Sequence, residues 1–190
     1  MRIVSGSCRG RKLKSVPGKS TRPTTDKMKE TIFNWIGPYF PGGSCLDLFA
    51  GSGGVGLEAL SRGMDFAIFV DKSKQAIQTI KSNVSICGME DRCEIYNNDS
   101  DRALKAIIKR GIQFDFIFLD PPYQKQKLQS LLQLIEDHSV MKDSGYVICE
   151  HDTGVPLPDK VGNLKQIKNV SYGMSHLTLY LYSELEENEI

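Results

Sequence analysis

The sequence predicts an α/β fold with a largely parallel sheet that ends in an antiparallel strand. From residue 44 onward, short apolar runs alternate with longer segments of helical periodicity, which is typical of βαβ units. The first apolar run leads into a glycine-rich turn. The β-rich runs at 167–172 and 176–182 are separated by three residues, too few for a parallel crossover, so they predict a hairpin.

The length of the chain limits the domain count. Its 190 residues, 40% of them hydrophobic, can bury one core but are too few for two ordinary domains. We therefore expect a single domain over residues 1–190. Residues 1–40 are predicted to form a basic extension, in which a hairpin pairs 2–4 with 11–13 and a helix follows Thr24 or Thr25. Trp35 is expected in the core beneath that helix.

The other elements follow from the period of the apolar residues. Strands are predicted at 45–49, 66–71, 93–96, 114–120 and 145–150, and helices at 56–62, 73–86, 103–110 and 128–136.

The charge is uneven although the net charge is only +1. Residues 1–30 carry nine lysines and arginines against Asp26 and Glu30. Clustered cations suit a polyanion, because their contact with phosphates releases counterions. A solvated leader explains the same pattern equally well, so charge alone leaves both interpretations open.

Composition argues against several classes of protein. The five cysteines are scattered and form no CxxC pair, and the three histidines show no ligand spacing, so we expect reduced thiols and no metal site. There is no secretory signal and no apolar run long enough to span a membrane. A cytoplasmic protein with no membrane partner is expected.

The turn after the first strand carries the sequence G-x-G-x-x-G. Gly51, Gly53 and Gly56 supply the glycines, and Asp71 follows about twenty residues later at the end of the second strand. Such a loop lets the backbone approach a ligand, and the carboxylate accepts hydrogen bonds from a ribose. Because NAD and S-adenosylmethionine (SAM) both carry a ribose, the loop alone does not separate them.

Three features favour SAM over NAD. Asp47 lies inside the strand before the loop, where a carboxylate could reach the cationic amino-acid end of SAM. Asn98 and Asp99 end the third strand and suit the amino group of adenine, although Asp99 also fits a helix cap. The fourth strand ends in the sequence DPPY.

The DPPY sequence at 120–123 predicts a rigid, acceptor-rich turn. Two prolines fix φ and remove two N–H donors, which leaves the Asp120 carboxylate and carbonyl oxygens beside the Tyr123 ring. This arrangement suits a planar base with an exocyclic amino group, since the ring can stack on the base. A simple strand terminator is the alternative. The nearby Glu150–Asp152 segment is expected to be a solvated strand end, and a phosphate contact by Lys125 is left open.

Five segments together resemble the bacterial RsmD family. They are MRIVSGSCRGRKL at 1–13, TRPTTDKMKETIFNWI at 21–36, LDLFAGSGGVGLEALSRG at 46–63, DPPY at 120–123 and YGMSHLTLY at 172–180. The resemblance implies a Rossmann-like class I methyltransferase fold: helices on both faces of seven strands in the order 3-2-1-4-5-7-6, with strand 7 antiparallel. It further implies SAM-dependent methylation of the N2 amine of one guanine in 16S rRNA, as in enzymes that modify guanine 966. The expected partner is that rRNA within a 30S subunit or an assembly intermediate, bound by a monomer.

The resemblance also implies three sets of site residues. The cofactor-binding set is Asp47, Phe49, Gly51, Gly53, Asp71, Lys72 and Asp99. The target-amine set is Asp120, Pro121, Pro122 and Tyr123. The RNA-binding set is Arg9, Arg11, Lys12, Arg22, Thr24 and Lys125.

Other functions remain open at this point. DPPY motifs also occur in enzymes that methylate adenine N6 or cytosine N4 in DNA, although this chain has no room for a separate target-recognition domain. A NAD-dependent oxidoreductase or a non-catalytic RNA-binding module is an alternative of a different class.

Overall fold

The computed structural model describes residues 1–18, 25–122 and 125–184, except for the side chains of residues 125 and 126. The chain divides into two compact units, Met1–Leu104 and Lys105–Ile190. The described helices are α1 (Asp26–Ile36), α2 (Gly54–Ser61), α3 (Lys74–Cys87), α4 (Ser100–Lys109) and α5 (Lys125–Asp137), with a 3₁₀ turn at Glu90–Arg92. The described strands are β1 (Ser44–Asp47), β2 (Phe66–Asp71), β3 (Cys93–Asn97), β4 (Phe114–Leu119), β5 (Met141–Asp152), β6 (Lys160–Val161), β7 (Leu164–Tyr172) and β8 (Ser175–Tyr182).

The first unit contains parallel strands in the order β3-β2-β1. Residues in the middle of β2, such as Ile68 and Phe69, are fully buried. This continuous burial explains why β2 reads as an unbroken apolar run rather than an alternating one. Asp71 at the end of β2 lies opposite Asn97 at the end of β3. The polar carboxyl ends of these strands therefore meet at one edge.

The second unit contains strands in the order β4-β5-β8-β7-β6. Strands β4 and β5 are parallel, whereas β8 runs antiparallel to both β5 and β7. The predicted hairpin between β7 and β8 is confirmed: Tyr172 pairs with Ser175 across a turn in which Gly173 has a φ of +65°. Glycine adopts this left-handed backbone without the penalty that other residues incur.

The predicted α/β fold class is confirmed. Within each unit, the strand order agrees with the order that the family resemblance implies, with β8 in the place of the seventh strand and β7 in the place of the sixth. The short strand β6 was not predicted, because two residues carry no readable periodicity. The single-domain organisation over residues 1–190 stays a prediction.

The N-terminal arm, residues 1–18, forms the predicted hairpin around an antiparallel bridge between Arg2 and Lys12. Helix α1 follows, and the Thr25 hydroxyl caps it by accepting a hydrogen bond from the Met28 amide at 3.2 Å. The expectation for Trp35 was wrong, since its side chain is only half-buried. The buried face of α1 instead consists of Met28, Lys29, Ile32, Phe33 and Ile36.

Glu58 of α2 holds the arm through a buried network of charges. Its carboxylate accepts hydrogen bonds from the amides of Val4 and Ser5 at 2.8 and 2.9 Å. The Nε of Arg62 lies 2.9 Å and the Nζ of Lys29 3.6 Å from the same carboxylate. Glu58 is fully buried, and removing one member of a buried ion pair costs about 3–5 kcal/mol. Because the two arm amides bond this same carboxylate, the arm is an integral part of the first unit.

Candidate active site

The glycine loop connects β1 to α2 in a left-handed backbone conformation. Gly51 has a φ of +56° and Gly53 a φ of +80°, values that favour glycine. Among the described residues, no heavy atom lies within 4 Å of the position that a Cβ on Gly51 would take. A Cβ on Gly56, by contrast, would lie 2.4 Å from Cε1 of Phe69. Gly51 therefore keeps the loop accessible, whereas Gly56 allows α2 to pack closely on β2.

Asp71 is bonded directly to the glycine loop. Its Oδ2 accepts a hydrogen bond from the Gly51 amide at 2.9 Å, and its Oδ1 accepts one from the Ser73 amide at 2.8 Å. The side chain is half-buried, and the neighbouring Lys72 is exposed. Each carboxylate oxygen has two acceptor positions, so Asp71 can still accept from a ribose hydroxyl.

Asp47 is buried at the end of β1, where its Oδ2 accepts a hydrogen bond from the Gly56 amide at 3.2 Å. This bond holds the start of α2 against the strand. Phe49 follows in the turn and is half-buried. The structure therefore shows Asp47 bonded to the first turn of α2, and its contact with a cofactor stays a prediction.

Asp99 acts as a helix cap. Its Oδ1 accepts a hydrogen bond from the Asp101 amide at 2.9 Å, and its carbonyl accepts one from the Ala103 amide. The side chain is exposed. The sequence left open a cap or an adenine contact, and the structure shows the cap. The adenine contact stays a prediction.

Asp120 follows the last residue of β4 in the second unit and is half-buried. The pKa of Asp120 is raised to about 6, mainly by burial and to a smaller extent by the negative charge of Asp152. A carboxylate with this pKa is mostly ionised at neutral pH but takes up a proton readily. Pro121 is buried and Pro122 is exposed. Tyr123 lies outside the described residues.

The prediction of a solvated strand end is wrong for His151, which lies near the end of β5. It is only 2% exposed, and its Nε2 lies 2.8 Å from the hydroxyl of Thr178 on β8. Its Nδ1 donates to the Asp152 carbonyl at 3.0 Å, because a carbonyl can only accept. Burial lowers the pKa of His151 and keeps the ring neutral. The signal was present in the alternation of β5, which places His151 on the same face as the buried Cys149.

The basic residues predicted to contact RNA are described in part. Arg9, Arg11 and Lys12 are exposed on the arm, and a guanidinium nitrogen of Arg11 donates to the carbonyl of Ile86. Arg22 and Thr24 lie outside the described residues. Lys125 begins α5, and its side chain is not described.

Within the part of the chain that the structure describes, every helix is too short or too polar to span a lipid bilayer. In the same residues, no three histidine, cysteine, aspartate or glutamate side chains lie together as a metal site would require. All five cysteines are free thiols.

The predicted site residues thus fall into two groups. The first unit joins Gly51 to Asp71 and Asp47 to Gly56 by direct hydrogen bonds. The second unit holds Asp120 under the electrostatic influence of Asp152. That the two groups serve one reaction stays a prediction at this point.

Solved structures share this fold. The Escherichia coli protein yhhF, described as a candidate methyltransferase, has a TM-score of 0.81 and 31% sequence identity, covering 96% of this chain and 98% of its own. The Thermus thermophilus protein TTHA0928 has a TM-score of 0.80 and 30% identity, over 94% of this chain and 98% of its own. The fold is that of the Rossmann-like methyltransferases.

The family model described as "Conserved hypothetical protein 95" matches residues 1–181. YlbH of Bacillus subtilis (strain 168), named as a candidate rRNA methyltransferase, is 53% identical over 180 residues, 95% of this chain and 98% of that protein. Ribosomal RNA small subunit methyltransferase D of Escherichia coli (strain K12) is 34% identical over 158 residues, 82% of this chain and 78% of that protein. The chain belongs to this family, which is the RsmD family that its motifs resemble.

Proposed function

We propose that this protein is a SAM-dependent methyltransferase that modifies the N2 amine of a guanine in 16S rRNA. The observation that carries the proposal is its similarity to ribosomal RNA small subunit methyltransferase D over 158 residues. That similarity covers the glycine loop bonded to Asp71 and the segment in which Asp120 follows β4. The class of reaction then follows from the chemistry of these two groups.

The described residues fit SAM. Asp71 retains acceptor positions for a ribose, and the side of Gly51 where a Cβ would project is accessible to a ligand. SAM would supply a methyl group bound to a sulfonium sulfur, and that sulfur is a good leaving group. The residues that would hold it are Asp47, Phe49, Gly51, Gly53, Asp71, Lys72 and Asp99. Their role is to bind and orient, since preorganised positioning accounts for much of the rate of such transfers.

Asp120 and the carbonyl of Pro121 would accept the two hydrogens of the target amine. These bonds favour a more tetrahedral nitrogen, whose lone pair is then available to form the bond to the methyl group. The bond between the methyl carbon and the sulfonium sulfur would break as that bond forms, and the nitrogen would lose one proton to Asp120. A pKa of about 6 suits this step, because the group is ionised before transfer and basic enough to be protonated afterwards. Tyr123 would stack on the base.

The substrate would be 16S rRNA in a 30S subunit or an assembly intermediate, met in the cytoplasm by a monomer. The exposed Arg9, Arg11 and Lys12 support this proposal, because an arm with these cations suits phosphates. Arg22, Thr24 and Lys125 complete the proposed RNA-binding set. A base within folded RNA must leave its stack to reach such a site.

The proposal is tested by supplying purified protein and labelled SAM with 30S particles, naked 16S rRNA or duplex DNA. We expect label in the RNA, recovered as N2-methylguanine by mass spectrometry, and its absence from rRNA of cells that lack the protein. Label in DNA alone would support amino-methylation of adenine or cytosine in DNA instead.

Two variants of β4 and its end make the assay specific. Asp120→Ala should lose methyl transfer yet bind S-adenosylhomocysteine (SAH) normally. Asp115→Asn, at a carboxylate within β4 that pairs with Lys142 at 2.8 Å, is the matched control and should remain active. An active Asp120→Ala variant would refute the role assigned to that carboxylate.

A further inference from the structure

Asn83 of α3 connects the N-terminal arm to the glycine loop. Its side chain is fully buried and makes three hydrogen bonds. The Oδ1 accepts from the Lys14 amide at 2.8 Å, and the Nδ2 donates to the Lys14 carbonyl and to the Ser52 carbonyl, each at 2.9 Å. Both amide hydrogens are therefore used, one on the arm and one on the loop.

Ser52 stands between Gly51 and Gly53 in the glycine loop. The preceding residue, Gly51, donates its amide hydrogen to Asp71, so Asp71 and Asn83 hold the peptide groups on either side of the Gly51–Ser52 peptide in the same turn. Any shift of this turn changes the distance between the Ser52 carbonyl and Asn83. Because the same amide nitrogen also bonds Lys14, such a shift reaches the arm.

Met1 provides a second contact between the arm and the loop. Its sulfur lies 3.5 Å from the Ser52 hydroxyl, and a Cβ on Gly54 would lie 2.9 Å from the same sulfur. The arm thus contacts the loop directly through Met1 and, by way of Asn83, through Lys14. These contacts leave little freedom for either segment to move alone.

We propose that Asn83 is a positioning residue that couples the glycine loop to the arm, so that SAM bound at the loop and RNA bound on the arm strengthen each other. The inference rests on the proposed function, which assigns those two ligands. Coupling of this kind is reciprocal, because each ligand changes the affinity of the other by the same factor. Asn83 acts without touching either ligand.

Other contacts attach the arm independently of Asn83. The amides of Val4 and Ser5 bond Glu58, and the Cys8 amide bonds the Ser61 hydroxyl at 3.0 Å. Removing the Asn83 amide therefore leaves the arm attached to α2. What it removes is the hydrogen-bonded link between Lys14 and the Ser52 carbonyl of the loop, and this separates coupling at Lys14 from simple attachment of the arm.

Hydrogen exchange on the full-length protein measures the coupling. SAH is the probe, and the readout at each arm amide is the ratio of exchange rates without and with SAH. In the wild type we expect SAH to slow exchange at Lys14 by about fivefold or more, the lower range of known coupling factors. The Cys8 amide, held by Ser61, should change less.

Two variants remove the link to different extents. In Asn83→Leu, which keeps the branched shape but no polar atom, and in Asn83→Ser, which is too short to reach both partners, the SAH-dependent ratio at Lys14 should fall to about one. Thr79→Val is the matched control. Thr79 is buried one turn earlier on α3, and its hydroxyl donates to the Gln75 carbonyl of its own helix. This variant should keep the wild-type ratio.

The outcomes separate the inference from the proposed function. If calorimetry shows that the wild type does not bind SAH, the proposed cofactor is wrong. If SAH binds but leaves Lys14 exchange unchanged in the wild type, only the coupling is refuted, whether or not the variants fold. A wild-type ratio in Asn83→Ser would also overturn it.

Discussion

Asp120 owes its chemistry to two features of its surroundings. Its position at the end of a buried strand disfavours the charged form, and the carboxylate of Asp152 adds repulsion, so its pKa is raised from 3.8 to about 6. His151 does not offset this charge, because burial lowers its own pKa and keeps it neutral. Asp120 is therefore the group expected to set the acid side of the pH profile.

Methyl transfer should fall as the pH drops through about 6, because the raised pKa means that the carboxylate form is lost there rather than near 4. At pH 5, about a tenth of the neutral rate should remain. The Asp152→Asn variant removes one of the two causes and should move the midpoint to lower pH. Single-turnover rates between about pH 4.5 and 8 measure both effects.

Asp159→Asn is the control for that experiment, since it removes an exposed carboxylate from the same unit. It should leave the midpoint near 6. A midpoint that stays unchanged in Asp152→Asn would contradict the electrostatic effect assigned to Asp152.

The sequence shows the chemistry of a residue better than its contacts. Asp71 and Asp120 could be selected because each ends an apolar strand in a recognisable motif. The cap role of Asp99 was one of two readable alternatives, and the structure shows it in the bond to the Asp101 amide. Asn83 carried no signal, because its partners Lys14 and Ser52 lie 69 and 31 residues away in the chain.

At the scale of elements, the packing of α2 on β2 requires a residue without a side chain at Gly56. Gly56→Ala would place a Cβ 2.4 Å from a ring carbon of Phe69, which is fully buried and cannot move aside freely. We expect a loss of about 1–3 kcal/mol in the free energy of unfolding. The affinity for SAH should fall as well, because α2 begins at the glycine loop. Denaturant unfolding and calorimetry measure these effects.

Gly154→Ala is the matched control for that substitution. Among the described residues, no atom lies within 4 Å of the position of its Cβ. Its unfolding free energy should stay within about 0.5 kcal/mol of the wild type. A similar loss in both variants would show that the contact with Phe69 is not the cause.

Elements with strong apolar periodicity were predicted with accurate bounds, whereas the ends of elements with weak periodicity were not. Strand β2 was predicted with its observed bounds, because it is apolar throughout and ends at Asp71. Strand β5 begins at Met141, earlier than predicted, because Lys142, Asp143 and Ser144 read as a polar loop although they belong to the strand. Exposed strand residues of this kind carry no apolar signal.

At the scale of the whole molecule, the arm should supply part of the salt-dependent affinity for RNA. The double variant Arg9→Glu, Lys12→Glu reverses two exposed charges. We expect weaker binding of 16S rRNA and a slope of log affinity against log salt that is smaller by about 2, since each phosphate contact adds about one to the slope. Filter binding at several salt concentrations measures this slope.

Lys105→Glu, Lys109→Glu makes the same change in net charge on exposed positions of α4. It should leave the slope closer to that of the wild type. Equal losses in the two double variants would show that total charge, rather than the arm, governs RNA binding.

The fold class and the family were accessible from the sequence because both depend on short local patterns. The glycine loop, the DPPY motif and the alternation of strands and helices each lie within a few residues. The ion network around Glu58 was not accessible, because it joins the arm, α1 and α2 through contacts between distant segments.

The Glu58 network also bears on the order in which the protein folds. The amides of Val4 and Ser5 precede their carboxylate partner by 54 and 53 residues. Contacts of such sequence separation are slow to form, and during synthesis an early segment waits for a late partner. The arm is therefore made before α2 but settles only after it, and refolding experiments should find the arm among the last parts of the first unit to gain protection.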